Sequence, residues 1–251
     1  MSDQPADGLG RLRLAVRLRI YGTALVFIVL AIVLLILPDL FRGHPLVPDS
    51  VATYCCFGIG LTALCVYASV TWLRRKFPIN WIASCSIAAC LALGTVFVLP
   101  EQPAGHVLLL SLEILIMMAL LLLVGSLLLP NCPPVAYLFL TWFIYVMFST
   151  VLMVVVVVHL QDRPLIYEVA LHFVVWQIGF PVIEFQAQVI SGYWDNFPPL
   201  LDIPLCATML LLDFLACYAI LDSADDIGFE LSYVSRSSNQ KFLARVIKSQ
   251  M

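Results

Sequence analysis

The sequence predicts an all-α fold, a polytopic transmembrane helical bundle of seven spans. Three observations carry that expectation. The chain is 62% hydrophobic and only 12% charged over 251 residues, whereas soluble domains run about half apolar and about a quarter charged. At roughly 20 apolar residues per bilayer crossing, the surplus suffices for roughly six to eight spans and leaves little for a separate soluble domain. The apolar runs are also uniformly apolar, without the alternating segments of about ten residues that a membrane β-barrel would show. Together these exclude a soluble enzyme, a coiled coil and a disordered chain.

The elements follow in order. A polar and then basic segment, 1–19, carries Arg11, Arg13, Arg17 and Arg19 and leads into the first apolar run, 20–38. That run is full span length with no small-residue cleavage site, so it is expected to act as its own targeting signal. Pro38-Asp39 closes it. The second run, 51–73, ends at the basic loop Arg74-Arg75-Lys76, and the third, 80–99, at Pro100-Glu101. Runs at 107–129 and 134–159 flank Pro130-Asn131. The sixth, 166–190, follows Gln161-Asp162-Arg163-Pro164 and contains Pro181, where a kink is expected; the seventh, 200–221, follows Asn196-Phe197-Pro198-Pro199. Short connections imply sequential antiparallel neighbours. Residues 20–221 are thus read as the transmembrane domain and 222–251 as a polar tail. Within that tail Phe242, Leu243, Val246 and Ile247 set against Lys241, Arg245 and Lys248 suit either a short amphipathic helix at a membrane surface or a frayed end. No internal repeat appears.

Orientation is read from Lys and Arg. Arg11, Arg13, Arg17 and Arg19 share a side with Arg74, Arg75 and Lys76, and Arg42 and Arg163 lie opposite, which places the N-terminus in the cytoplasm. Seven crossings then put the tail, with Arg236, Lys241, Arg245 and Lys248, on the far side. Six crossings plus a re-entrant run would keep it in the cytoplasm. The formal net charge of −3 lacks the basic stripe of a nucleic-acid binder. Of the eight cysteines all but Cys132 fall inside apolar runs, where they act as small hydrophobes. No zinc-like spacing appears, so no metal or resident cofactor is expected.

Ionisable residues within spans are costly and are functional candidates by default. Asp213 lies about 14 residues into its run, or about 20 Å at 1.5 Å per residue, too deep to reach water. It must face the bundle interior, be protonated, or both; the alternative to a functional role is a neutral, hydrogen-bonded structural acid. Glu168 and His172 share one helical face, as do His106 and Glu113, and all four lie toward the non-cytoplasmic end. They either form a cation-attracting vestibule at that mouth or extend to the interface as polar anchors. Glu184, Gln186 and Gln188 follow Pro181 on the cytoplasmic side.

Several of these segments resemble the Bax-inhibitor-motif, or Lifeguard, family of membrane proteins. Leu73-Arg74-Arg75-Lys76-Phe77-Pro78-Ile79-Asn80-Trp81 with a later Gly94-Thr95 is similar to that family's loop between spans two and three. Arg17-Leu18-Arg19-Ile20-Tyr21 is similar to its first-span entry, Val182 through Gly192 to the end of its span six, and Asp202 through Asp213 to its last helix. The resemblance runs from about Arg11 to Leu221. It implies a pair of aspartates, one late in span six and one in span seven, sharing a proton and gating a pH-dependent calcium leak, as two carboxylates in low dielectric would. Asp213 matches the second aspartate. Gln186 stands where the first would be, and Glu184, about 200° away round an ideal helix, would need a local shift to substitute. A Gln186 to Asp213 hydrogen bond is the simpler expectation. Span three likewise has Ala89 and Cys90 where relatives often carry a glutamate.

Two functions are therefore expected. The resemblance implies a Lifeguard-like protein of the endoplasmic reticulum or Golgi, with the plasma membrane as a further location, that modulates calcium leak and restrains apoptosis. Its partners would be membrane lipid, Ca²⁺ as permeant ion, and membrane proteins of apoptosis control. The alternative is a non-conducting structural or interaction protein in which Gln186 and Asp213 lock the bundle. A proton-coupled transporter or a seven-span receptor is a weaker alternative. Enzyme activity is not expected, since no nucleophile-base spacing can be placed at a membrane face.

Overall fold

The structure is a computed structural model and describes residues 4–40, 50–98, 102–127, 134–159, 163–191 and 202–223. Its elements are α1 (Gln4–Leu40), α2 (Ser50–Ser69), α3 (Thr71–Arg75), α4 (Ile79–Val98), α5 (Ala104–Leu127), α6 (Pro134–His159), α7 (Arg163–Ser191) and α8 (Ile203–Ser223). The fold is all-helical, and seven of these helices, all but α3, are long and apolar enough to cross a membrane. The chain is an integral, multi-pass membrane protein. The tail beyond Ser223, including the amphipathic pattern around Phe242, lies outside the described residues, as does Cys132.

Several boundaries differ from those the apolar runs suggested. The run 51–73 divides at Val70, whose extended backbone (φ −91°, ψ 93°) separates α2 from the five-residue α3. Apolar counting does not register such a break. Helix α1 begins well before residue 20 and continues through Pro38. At 37 residues it is about 55 Å long, longer than the roughly 30 Å hydrocarbon core, so its basic first turns extend beyond the span. Helix α7 likewise continues through Pro181.

Helix α8 is the axis of the bundle. In it 61% of the membrane window is buried, against 39% or less in every other span, and Ala207, Thr208, Leu210, Leu211, Phe214 and Tyr218 are almost wholly enclosed. Around it stand α1, α4, α5 and α7. Helix α2 packs on α4, and α6 is the outermost, packed on α7. Helix contacts in lipid depend on close van der Waals fit, which favours small residues at crossings. Gly60 of α2 receives Leu91, and Gly94 of α4 receives the Phe57 ring, so the two helices interlock reciprocally. The tightest crossing is between α5 and α7, where a Cβ on Gly125 would lie 2.5 Å from the Glu184 carbonyl oxygen.

Contacts at the helix ends fix the direction of each span. Arg17, early in α1, donates to the Ser191 carbonyl at the end of α7. Tyr67, late in α2, reaches Asp202 at the start of α8. At the opposite end Asp39 of α1 accepts from the Ala104 backbone N–H at 2.9 Å, capping the start of α5, and Asp222 at the end of α8 meets Gln102 and His106. These contacts orient spans one, two, four, six and seven (α1, α2, α5, α7 and α8) as alternating crossings require. Helix α8 runs from the Arg17 side to the opposite side as one full-length helix, so the last apolar run crosses and does not re-enter.

Candidate functional site

Asp213 sits halfway along the central helix α8, with Gln186 of α7 hydrogen-bonded to its side chain. The amide N–H₂ donates and the carboxylate accepts. Gln186 Oε1 and Asp213 Oδ2 are both buried and have no hydrogen-bond partner among the described residues. Buried polar atoms of native proteins are nearly always paired, so two orphan acceptors at one contact mark the centre of the bundle as polar and incompletely satisfied. An amide can also turn its carbonyl toward a protonated carboxyl group, so the pair can remain joined in either protonation state of the acid.

Glu184 does not join it. Its carboxylate is buried and accepts the Tyr145 hydroxyl of α6 at 2.8 Å. The two residues lie on different sides of α7: Gln186 turns to the axis, and Glu184 to the periphery, where Gln177 also donates to Ser149 of α6 and Tyr145 stacks edge-on against Phe180. Gln188 is buried in the same helix.

At the end of α8 remote from Arg17, a second polar cluster forms. His106 Nε2 stands 3.7 Å from Asp222 Oδ1, Gln102 Nε2 donates to the same oxygen, and the Tyr218 hydroxyl donates to Gln102 Oε1 at 3.3 Å. Sequence spacing pairs His106 with Glu113; the structure instead supplies Asp222 as its acid, and Glu113 is exposed on the outer face of α5. His172 is half-buried in α7. Glu168 lies in the same helix, with its side chain outside the described ones. The expected pair of His106 with Glu113 is thus replaced by His106 with Asp222, and in the pair of Glu168 with His172 the acid falls outside the described side chains.

The third cluster is at the opposite end. Asp202 precedes the first residue of α8 and accepts the Leu205 backbone N–H, the N-cap arrangement. Tyr67 donates to its Oδ1 over a long 3.4 Å. Burial pushes the Asp202 carboxyl above its usual range, and the Leu205 N–H, the Arg74 charge and Tyr67 pull it partly back. Arg74 is half-buried beside this acid, while Arg75 and Lys76 are exposed, with the Lys76 ammonium 4.1 Å above the Trp72 ring. Arg17 caps the last carbonyls of α7, the negative end of that helix dipole.

Sequence reading singled out Asp213 and Gln186 but passed over Asp222, Gln102, Tyr145 and the capping role of Arg17. One signal was present. Tyr218 and Asp222 are four residues apart near the end of an apolar run and share a helical face, and Gln102 and His106 flank the start of another. No protein-family model, curated protein or solved structure matches the chain.

Proposed function

We propose that this protein sets a slow cation leak across an endomembrane, with calcium the principal ion, and that it thereby restrains apoptosis, its N-terminus lying in the cytoplasm. The contact between Gln186 and Asp213 at the midpoint of the central helix supports the leak reading. Calcium is a hard cation that takes oxygen ligands. The two buried, unpartnered oxygens there offer a permeating ion a transient stop, too few for tight retention. Polar clusters at both ends of α8, around Asp202 and Asp222, supply acidic groups at the two approaches. The endomembrane location and the link to apoptosis rest on the sequence resemblance.

A second reading has an observation of its own. An amide at position 186 and the engagement of Glu184 by Tyr145 leave a single acid at the centre, as a non-conducting bundle locked by one hydrogen bond would have. One experiment separates the two. Protein is reconstituted in liposomes loaded with a calcium dye, and wild type, Asp213→Asn and Gln186→Asp are compared between about pH 6 and pH 8, the range in which a shared carboxyl proton would report. Flux in wild type that disappears in Asp213→Asn supports the leak. Wild-type flux equal to that of empty vesicles, with flux appearing in Gln186→Asp, overturns it in favour of the locked bundle.

A further inference from the structure

Two lateral grooves open between α1 and its neighbours, and they differ in one respect. The first, about 430 Å³, lies between α1 and α5, with Leu210 of α8 in its lining. Its volume falls in the range of small-molecule sites. Along α5 it extends from Leu115 to Ser126, which is about 16 Å of helix, or one leaflet of a roughly 30 Å hydrocarbon core. Its walls are apolar except at one end, where Tyr21 and Ser126 stand. That end is on the Arg17 side, since α5 starts at the Asp222 cluster and runs toward the opposite face. Arg17 lies one turn before Tyr21 on the same face of α1, close enough for its charge to act on the Tyr21 phenol. One guanidinium nitrogen is engaged by the Ser191 carbonyl, and a guanidinium has five N–H donors. The second groove, about 270 Å³ between α1 and α4, touches Leu211 and has an apolar lining; neither lining contains a charged side chain, and Arg17 stands one helical turn beyond the polar end of the first.

We propose that the α1–α5 groove is a binding site for one acidic glycerophospholipid of the leaflet on the Arg17 side. One acyl chain lies along Ile28, Leu115 and Leu210, and the headgroup phosphate meets the Arg17 donors that Ser191 does not engage and the Tyr21 hydroxyl. Arginine pairs with phosphate in a bidentate, charge-assisted geometry, and an apolar trough about one leaflet deep, with Tyr21 and Ser126 at its end and Arg17 one helical turn beyond, matches such a lipid in both length and charge. The second groove, with no cation, takes ordinary bilayer lipid without headgroup preference.

The test uses the full chain in phosphatidylcholine vesicles carrying a trace of phosphatidylserine, or of phosphatidylcholine, with a photoreactive acyl chain; labelled peptides are mapped by mass spectrometry. Labelling of the Leu115–Ser126 segment by the serine lipid is expected to exceed that by the choline lipid about fivefold, the gain one basic side chain gives an acidic lipid at a membrane surface. Labelling near Ala88 and Ala92 in the second groove is expected to be equal for both. Arg17→Gln should reduce the preference at the first groove to parity. Because Arg17 also caps α7, a second variant is included: Ala119→Phe fills the first groove from an exposed position and should remove labelling there while leaving the second groove unchanged. Equal labelling of the wild-type first groove by both lipids, or labelling there that survives Ala119→Phe, overturns the proposal.

Discussion

Replacing Gly125 by alanine tests the packing of the bundle at its tightest crossing. An added Cβ would stand 2.5 Å from the Glu184 carbonyl oxygen, 2.8 Å from the Glu184 Cα and 3.0 Å from the Ala187 Cβ. Unstrained carbon contacts lie at about 3.5–4.0 Å, so α5 must withdraw from α7 by about 1 Å. The first two obstacles are backbone atoms, and no rotamer change relieves them. Overpacking costs about 1–3 kcal/mol, and a backbone clash falls at the upper end, about 3 kcal/mol. Alanine regains about 1 kcal/mol of helix propensity over glycine. The net expectation is a loss of about 2 kcal/mol, or about 30-fold in the ratio of folded to unfolded protein. The assay is reversible unfolding in mixed micelles followed by tryptophan fluorescence. Gly22→Ala and Gly58→Ala are the controls, because an added Cβ at either meets nothing within 4 Å; both should be neutral or stabilising by up to about 1 kcal/mol. A Gly125→Ala protein as stable as the Gly22→Ala protein would refute the argument.

Other outcomes follow from the polar contacts. Tyr145→Phe removes a hydroxyl donor from the buried Glu184 carboxylate and should cost about 1–3 kcal/mol in the same unfolding assay. Asp222→Ala deprives Gln102 of its acceptor and His106 of its acid, with a similar expected loss of about 1–3 kcal/mol, and should increase hydrogen exchange at the first turn of α5. Asp202 gives a pH dependence. Its carboxyl is raised from 3.8 by burial, so between 3.8 and its folded value the native protein holds a proton that the unfolded chain has released. This group's contribution is therefore most favourable below 3.8 and declines as pH rises through the folded value. Asp202→Asn retains an acceptor for the Leu205 N–H and should flatten that decline in unfolding curves recorded across acidic pH; an unchanged pH profile would exclude Asp202 as its source.

The spans were legible because a bilayer admits only helices whose backbone groups are satisfied internally, and a run of about 20 apolar residues has few other uses. Which face of each span turns inward was not. In a soluble helix the polar face marks the outside, but lipid tails are as apolar as a protein core. Asp213 and Glu113 accordingly look alike in sequence, each an acid among leucines, yet one is directed at α7 and the other outward. Glu184 and Gln186 are two residues apart, and only the packing of α7 between α6 and α8 decides which of them meets Asp213. His106 shows the same limit. A helical face offered Glu113, seven residues away, as its partner, whereas the observed acid, Asp222, is brought to it by the return of a different helix.

The enclosed position of α8 has a consequence for how the molecule is made. Chains emerge from the ribosome N-terminal end first, and the helix about which the other spans are arranged follows all six of them in sequence. Until it arrives, the inner faces of α1, α4, α5 and α7 have no axis to close on, and end contacts such as Arg17 to Ser191, 174 positions apart, and Asp39 to Ala104 help to hold them in register. The early helices can already pair, α2 on α4 and α5 and α6 on α7, but the set remains incompletely packed at its centre. Assembly is then completed in one late step, when α8 delivers the buried surface at the centre and the carboxylate it carries in the middle.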